Sequence, residues 1–474
     1  MRGVVVGSGP NGLAAAVTLA QAGLDVCVYE AANEPGGATR TMEVTLPGFR
    51  HDLGSSIHPM AAASPFFRSL DLERRGLHWL HSPATLAHPL DDGTAVMLYR
   101  NIELTCANLG RDGPAYRSLV GGLVDSWDKL QREILGPIRI PAHKVEFAIF
   151  GASAALPASW LARMRFRGTR ARALFAGLAA HSILPLSSPF SSAVGLVLAA
   201  AGHKFGWPFP RGGAQSISRS LVNCLQELGG TIECSRRIED ISSFLGQDAV
   251  LCDMGPKQLL HIAGKCLPAD YQSAMGRYRY GPGIYKVDWA LSQPIPWVAK
   301  ECAEAGTVHL GGTLEELEAS ERAPWQGQVS HKPFVLLAQT SLFDDLRAPL
   351  GQHTAWGYCH VPNGSQEPML ETIERQIERF APGFRDCVLA RKVWDSRDME
   401  MWNANLVGGD ISGGALTTKQ LFFRPTWNTY NTPVANLFLC SASTPPGAGV
   451  HGMCGYHAAS RALRGLGLRA ATLP

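Results

Sequence analysis

Six residues near the start of the chain, Gly7-Ser8-Gly9-Pro10-Asn11-Gly12, have the types and spacing to hold a diphosphate. They follow an apolar run, Val4-Val5-Val6, and lead into an alanine-rich stretch, which is the order strand, tight turn, helix. Gly7 permits the sharp turn, Gly9 lets a backbone approach a pyrophosphate without a Cβ in the way, and Gly12 lets helix and strand pack closely. The phosphates then sit over Pro10 and Asn11 at a helix N-terminus, where unpaired N–H groups and the helix dipole favour an anion. Leu13 to Gln21 reads as that helix, closed at Gly23, and Asp25 to Tyr29 reads as a second strand. Glu30 stands at its end, where a carboxylate accepts hydrogen bonds from ribose hydroxyls and repels a 2′-phosphate. A glycine pattern alone is a weak signal; strand, helix, second strand and acid at these spacings make it specific.

Directly downstream, Ala31 to Arg40 carries a second glycine pair in Gly36-Gly37-Ala38-Thr39-Arg40. This resembles the extended fingerprint of the FAD-binding superfamily that includes amine oxidases and phytoene desaturases, in which the second pair approaches the diphosphate. The resemblance implies FAD, with Gly36, Gly37, Ala38, Thr39 and Arg40 among its contacts. Pro47 to His58 reads as a turn, a short strand and a loop. In the resembling family this segment runs past the flavin ring, which adds Gly54, Ser55 and Ser56 to the cofactor contacts and brings Asp52 and His58 into consideration. The plain alternative is that Asp52 satisfies loop N–H groups and His58 is a capped or solvated histidine.

A second anchor lies near the far end. Asn436 to Ser441 reads as a strand, Pro445-Pro446-Gly447-Ala448-Gly449-Val450-His451-Gly452-Met453 as a glycine-rich turn, and the residues through Ala462 as a helix. Its positive end suits the pyrimidine side of a flavin, where charge accumulates on reduction. This unit resembles the C-terminal flavin motif of the phytoene desaturase family and implies contacts from Ser441, Gly449, Val450, His451 and Met453. One departure is Ser441-Ala442, where relatives commonly have glycine. In the same family the residue matching Ile238 binds the adenine edge through its backbone, and the strand Ala249 to Asp253 closes the FAD domain. Polar candidates near the ring are His58, Arg424, Tyr430, His451 and His457, with His58, Tyr430 and His451 as the catalytic candidates. Each has a structural alternative: Arg424 pairs a carboxylate, or Tyr430 only packs.

These anchors must be positioned by the rest of a 474-residue chain, which exceeds one ordinary domain. The expected architecture is α/β: a Rossmann-like FAD-binding domain with a parallel central sheet, and a second α+β substrate domain of mixed sheet covered by helices. Residues 1–76, 205–260 and 425–474 are assigned to the first, and 77–204 and 261–424 to the second. Strand-like runs at Leu77 to Leu80 and Ala95 to Tyr99 open the substrate domain, and helical spacing dominates from Pro114 to about Gly202. Tyr285 to Leu291, Phe334 to Thr340 and His353 to His360 have strand composition, and Met369 to Phe380 reads as a polar-faced helix. Gly408 to Gly414 reads as a flexible loop near the cavity. Phe147 to Gly177 mixes large apolar residues with Arg163, Arg165, Arg167, Arg170 and Arg172. A helical lid with a solvated basic face is the favoured reading, and contact with a membrane surface the other.

Composition narrows the class further. With 46% hydrophobic and 18% charged residues and a net charge of +3, the chain is globular, and nothing suggests a nucleic-acid surface. The eleven cysteines are scattered with no CxxC pair, so no disulfide framework or metal site is expected. No signal peptide is read before the first strand, and the longest apolar tract, Ala193 to Ala201, is short of the roughly 20 residues a spanning helix needs. A cytoplasmic protein, peripheral at most to the inner face of a membrane, is expected. The resemblance implies an FAD-dependent dehydrogenase or desaturase taking hydride from a hydrophobic polyprenyl- or alkene-like substrate. No second glycine motif offers a nicotinamide domain, so oxygen or a quinone is the expected electron acceptor. The alternatives are an amine or amino-acid oxidase of the same fold, a flavin-dependent isomerase, and a non-catalytic flavoprotein.

Overall fold

The apolar run that opens the chain becomes the central strand of a five-stranded, all-parallel sheet in the computed structural model, which describes residues 1–473. The order across the sheet is Leu437–Leu439, Ala249–Cys252, Arg2–Val6, Asp25–Tyr29 and Thr231–Glu233. Val5 lies opposite Val28 on one side and Leu251 on the other. These strands read as unbroken apolar runs because both faces are covered. Helices Pro10–Gln21, Gln215–Glu227 and Met453–Gly465 bury one face, while Pro256–Ala263 and Ala269–Gly276 cover the other. The fold is therefore the expected α/β one, with its parallel sheet drawn from widely separated parts of the chain.

The remaining residues build a seven-stranded mixed sheet in the order Val388–Trp394, Gly283–Leu291, His353–Val361, Val335–Ala338, Thr307–Leu310, Leu86–Pro89 and Ala95–Leu98. Only the pairing of Thr307–Leu310 with Leu86–Pro89 is parallel. Helices Thr169–Ala180 and Ser191–Phe205 pack over one face, and Leu370–Glu378 lies over the other. The strands Trp79–Leu80 and Phe209–Pro210, where the chain leaves and re-enters the parallel-sheet domain, pair antiparallel. The two crossings are thus tied into one ribbon.

Three strands of the mixed sheet were not expected. Leu86–Pro89 and Thr307–Leu310 are short, and Val388–Trp394 is an edge strand whose polar residues blur the alternation. The segment 408–414 differs from the flexible loop expected. Asp410 is fully buried and braces it, one carboxylate oxygen accepting from the N–H of Gly281 and Gly414 and the other from the Ser412 N–H and hydroxyl.

Candidate functional site

A single cavity of about 1680 Å³ opens between the two domains. It exceeds the roughly 300–1,000 Å³ typical of one small-molecule pocket, so it has room for a dinucleotide and a second ligand. Its nucleotide wall starts at the turn after the first strand. Gly7 adopts φ +99°, a conformation glycine tolerates, and a Cβ on Gly12 would overlap the carbonyl oxygen of Gly7, so both glycines do what their spacing predicted. The second glycine pair lies on the first: Gly36 N–H donates to Ser8 O, and a Cβ on Gly37 would come 2.9 Å from Gly9 Cα. Glu30 is already engaged with this turn. One carboxylate oxygen accepts from the Ser8 N–H and hydroxyl at 2.9 and 2.6 Å, the other from Ala32 N–H at 2.8 Å. A carboxylate offers about four lone-pair sites, so one remains for a ribose hydroxyl.

Most of the residues read from the sequence line this cavity. Gly7, Gly9, Pro10, Asn11 and Glu30 form its floor, while Gly37, Ala38, Arg40, Gly54, Ser55 and Ser56 continue it toward His58. Ile238 borders the far end beside Arg236, whose guanidinium lies over the Tyr29 ring. Ser441, Gly449, Val450 and His451 close the opposite side. Gly12, Gly36, Thr39, Tyr430 and Met453 stand behind the lining. Thr39, for instance, turns its hydroxyl inward to Gly36 O and Ser218 Oγ. Asn11 Oδ1, Ser55 Oγ and His58 Nε2 are enclosed without a hydrogen-bond partner along this wall. Unpaired buried polar atoms beside a glycine cradle fit a polar ligand such as FAD.

Sequence reasoning gave Asp253 no role, yet its carboxyl packs against the first glycine turn at the N-terminus of the helix Pro10–Gln21. Its Oδ2 accepts from Gly12 N–H at 2.9 Å, and a Cβ on Gly9 would come 2.6 Å from that oxygen. Burial pushes its pKa up to about 7, Glu30 adds to the rise, and the Gly12 and Gly9 N–H groups partly offset it. A raised acid holds its proton in the folded chain after the unfolded chain has released it. Its cost to stability therefore grows as pH rises from about 4 to 7 and is complete above that, on the order of 4 kcal/mol. The Asp253→Asn variant is expected to be more stable than the parent at pH 8, with that gain falling to less than half at pH 5. Urea unfolding at the two pH values checks this, and equal differences at both would exclude the raised acid.

The catalytic candidates separate on inspection. His58 and His451 are buried, and burial drives both to about 4, so each is neutral near pH 7. His451 Nδ1 accepts from Met453 N–H at 3.0 Å, which leaves the ring proton on Nε2. The first turn of the helix Met453–Gly465 is thus partly capped from within the chain. Tyr430 lies away from the cavity, its hydroxyl donating to Pro445 O at 2.9 Å, and His457 is spent on Leu135 O. Arg424 lines the cavity, but instead of a carboxylate it binds the carbonyls of Ala442, Ser412 and Gly414, which fastens the braced loop to the second anchor.

Asp52 confirms the structural reading made for it and goes further. Its oxygens accept from Thr41 and Ser56 hydroxyls and from Ala214 N–H, and Arg347 lies 2.8 Å away. Burial alone would raise this carboxyl, but Arg347 and the three hydrogen bonds outweigh it and hold it below its ordinary value. Arg347 also grips Asp344 at 2.9 Å. Nearby, the buried Lys286 pairs with Asp288 at 2.5 Å and lies over the Trp356 ring, outside the cavity lining. Arg347, Lys286 and Asp288 were not found from the sequence, because they lie far along the chain from Asp52 and the glycine turns and carry no motif. The substrate side is apolar: Phe147, Phe150, Phe190, Val194, Leu336 and the Trp356–Tyr358 pair form its walls.

A parallel-sheet domain with a dinucleotide-type turn, joined to a mixed-sheet domain over one shared cavity, defines a two-domain α/β fold. Residues 5–71 match the model of the NAD(P)-binding Rossmann-like domain. The chain is similar to pyridine nucleotide-disulfide oxidoreductase domain-containing protein 2 of Mus musculus, at 24% identity over 98% of this chain and 93% of that one. It is also similar to the neurosporene-forming phytoene desaturase of Cereibacter sphaeroides, at 23% identity over 96% and 92%. Among solved structures, an oxidoreductase from Methanosarcina mazei superposes with a TM-score of 0.66 at 16% identity, covering 96% of this chain and 99% of that one. Cyclohexylamine oxidase from Brevibacterium oxydans gives 0.59 at 17% identity, over 98% and 99%. Phytoene desaturases thus recur among the curated relatives and amine oxidases among the solved structures.

Proposed function

We propose that the chain is an FAD-dependent dehydrogenase of the desaturase type, which removes hydride from an apolar, polyprenyl- or alkene-like substrate. The observation that carries this reading is the one continuous cavity, with the dinucleotide turn at one end and an aromatic and aliphatic wall at the other. Bound FAD would supply the hydride acceptor. The chain's own part is to hold and to exclude water: the two glycine turns and Glu30 fix the dinucleotide, the Ser55–His58 segment runs along the ring position, and the apolar wall orients a carbon chain. Neutral His58, with Nε2 unpartnered, offers a polar contact there without adding charge. Oxygen or a quinone would take the electrons onward.

An anaerobic absorbance titration tests the reading. The FAD-loaded protein is expected to bleach with a polyprenyl or alkene substrate. Bleaching by amines alone would replace the desaturase with an oxidase, a second reading that the stacked Trp356 and Tyr358 rings favour (centroids 5.6 Å apart, 24° between planes). Failure to load FAD would end both.

Membrane contact is part of the same proposal. Among the described residues no single helix is long and apolar enough to cross a bilayer, although the bent pair Lys144–Ala154 and Ala158–Arg165 passes by length and composition. These helices expose Val145, Ile149, Trp160 and Met164 beside Lys144 and Arg165, while Phe147 and Phe150 of the same segment line the cavity. Exposed apolar side chains flanked by cations, on a segment that also lines the cavity, suit the interface of an anionic bilayer. The protein is expected to cosediment with phosphatidylglycerol vesicles and the double variant Ile149→Glu/Trp160→Glu to lose most of that binding. Equal sedimentation of both would refute it.

A further inference from the structure

The substrate side of the cavity holds a polar device that the proposed reaction does not use. His181 follows the helix Thr169–Ala180 and lines the cavity, its ring 5.5 Å from Trp207 and 6.5 Å from Phe334. Its Nε2 lies 3.0 Å from Nε2 of the buried His309. Behind them, His88 Nε2 is 2.8 Å from Gly312 O, and His360 Nδ1 is 2.6 Å from Glu321 Oε2. Gly177 makes room for this cluster, since a Cβ there would come 2.8 Å from His309 Nδ1 and 3.2 Å from His88 Nδ1.

The partners fix where the protons are. A carbonyl only accepts, so His88 carries its proton on Nε2 and leaves Nδ1 as a bare lone pair. His309 Nδ1 is enclosed with no partner. A buried N–H without an acceptor costs more than an idle lone pair, so His309 keeps its proton on Nε2 and donates it to His181. Burial lowers both rings far below the ordinary histidine value, so each is neutral and holds one proton. With its Nε2 acting as acceptor, His181 must carry that proton on Nδ1. This N–H has no partner among the described residues, and part of the ring stays open to the cavity. Tyr358 lines the same cavity with its ring 5.7 Å from His360, and its hydroxyl is likewise without a hydrogen bond among the described residues.

We propose that the His181 Nδ1–H and the Tyr358 O–H bind a carbonyl oxygen, so that the substrate is an apolar ketone or aldehyde and not a hydrocarbon. A carbonyl has two lone pairs and no proton to clash with either donor, whereas an ammonium would present a further donor and a hydrocarbon would leave both unpaired. The inference rests on the proposed function only in taking this cavity as the substrate site.

The test is equilibrium binding to the full-length protein, read by quenching of tryptophan fluorescence, since Trp207 and Trp356 line the cavity. Farnesylacetone is compared with the same skeleton bearing CH2 in place of C=O. The ketone is expected to bind at least tenfold more tightly, the preference to fall severalfold in Tyr358→Phe and to vanish in His181→Phe. Tyr358→Phe removes one unbonded oxygen and keeps the test decisive even where loss of the His309 partner unfolds the other variant. Equal or tighter binding of the hydrocarbon, an unchanged preference in the variants, or binding of neither compound overturns the inference. The readout needs neither flavin nor turnover. Failure to load FAD would therefore sink the redox reading alone, and a ketone preference absent from a protein that hydrocarbons bleach would sink this inference alone.

Discussion

Gly455→Ala is expected to destabilise the protein by several kcal/mol and to abolish retention of a dinucleotide. In an ordinary helix the same change stabilises by up to about 1 kcal/mol, because alanine loses less backbone freedom on folding. Here the sign reverses. The helix Met453–Gly465 crosses Pro10–Gln21 so closely that a Cβ on Gly455 would overlap the carbonyl oxygen of Asn11 and come 2.8 Å from Ala15 N. Both obstacles are backbone of the helix that begins at the diphosphate turn, so neither can rotate away, and overpacking of this kind costs about 1–3 kcal/mol or more. Gly151→Ala in the helix Lys144–Ala154 is the control, since a Cβ there meets nothing within 4 Å. Chemical denaturation of the two variants should give shifts of opposite sign; a stabilised Gly455→Ala would contradict the packing described.

Arg347→Met is expected to cost about 3–5 kcal/mol, the penalty for leaving buried charge unpaired. The guanidinium is the shared partner of Asp52 and Asp344, and all three side chains are at most 1% exposed. Without it burial would drive the two carboxyls toward the protonated form, so the loss should be smaller at pH 5 than at pH 8. That sign follows from Asp52, whose carboxyl is held down in the folded parent and contributes stability that fades as pH falls through the carboxylate range. The effect should also reach the cofactor, because Asp52 anchors Thr41 and Ser56 on the segment that runs along the cavity. Urea unfolding at both pH values, with flavin retention after gel filtration, reads both consequences. A variant as stable as the parent at pH 8 would show that Arg347 is not what neutralises the pair.

Local rules made the first forty residues legible. Val4-Val5-Val6, the spacing of Gly7 and Gly12, and the apolar run of Asp25–Tyr29 each agree with one element, and together they specify a strand, a turn and a helix whatever follows. The second anchor was readable for the same reason, a strand and a glycine-rich turn before a helix. Tyr430 shows the limit of such reading: its residue type suits chemistry, but only the packing around Pro445 reveals that its hydroxyl is satisfied away from the cavity. Arg424 likewise spends its charge on carbonyls that belong to two other segments.

By itself, then, the sequence determined the strand–turn–helix unit at each end of the chain and the two glycine turns, because those depend on contacts between residues close in the chain. Only the tertiary structure decided the rest. Asp253 meets Gly12 across 241 positions, Arg347 meets Asp52 across 295, and His181 meets His309 across 128. Burial then sets what each group is, turning Asp253 into a weak acid and His181 into a neutral donor. No residue type announces its protonation state; desolvation and the partner that folding supplies fix it.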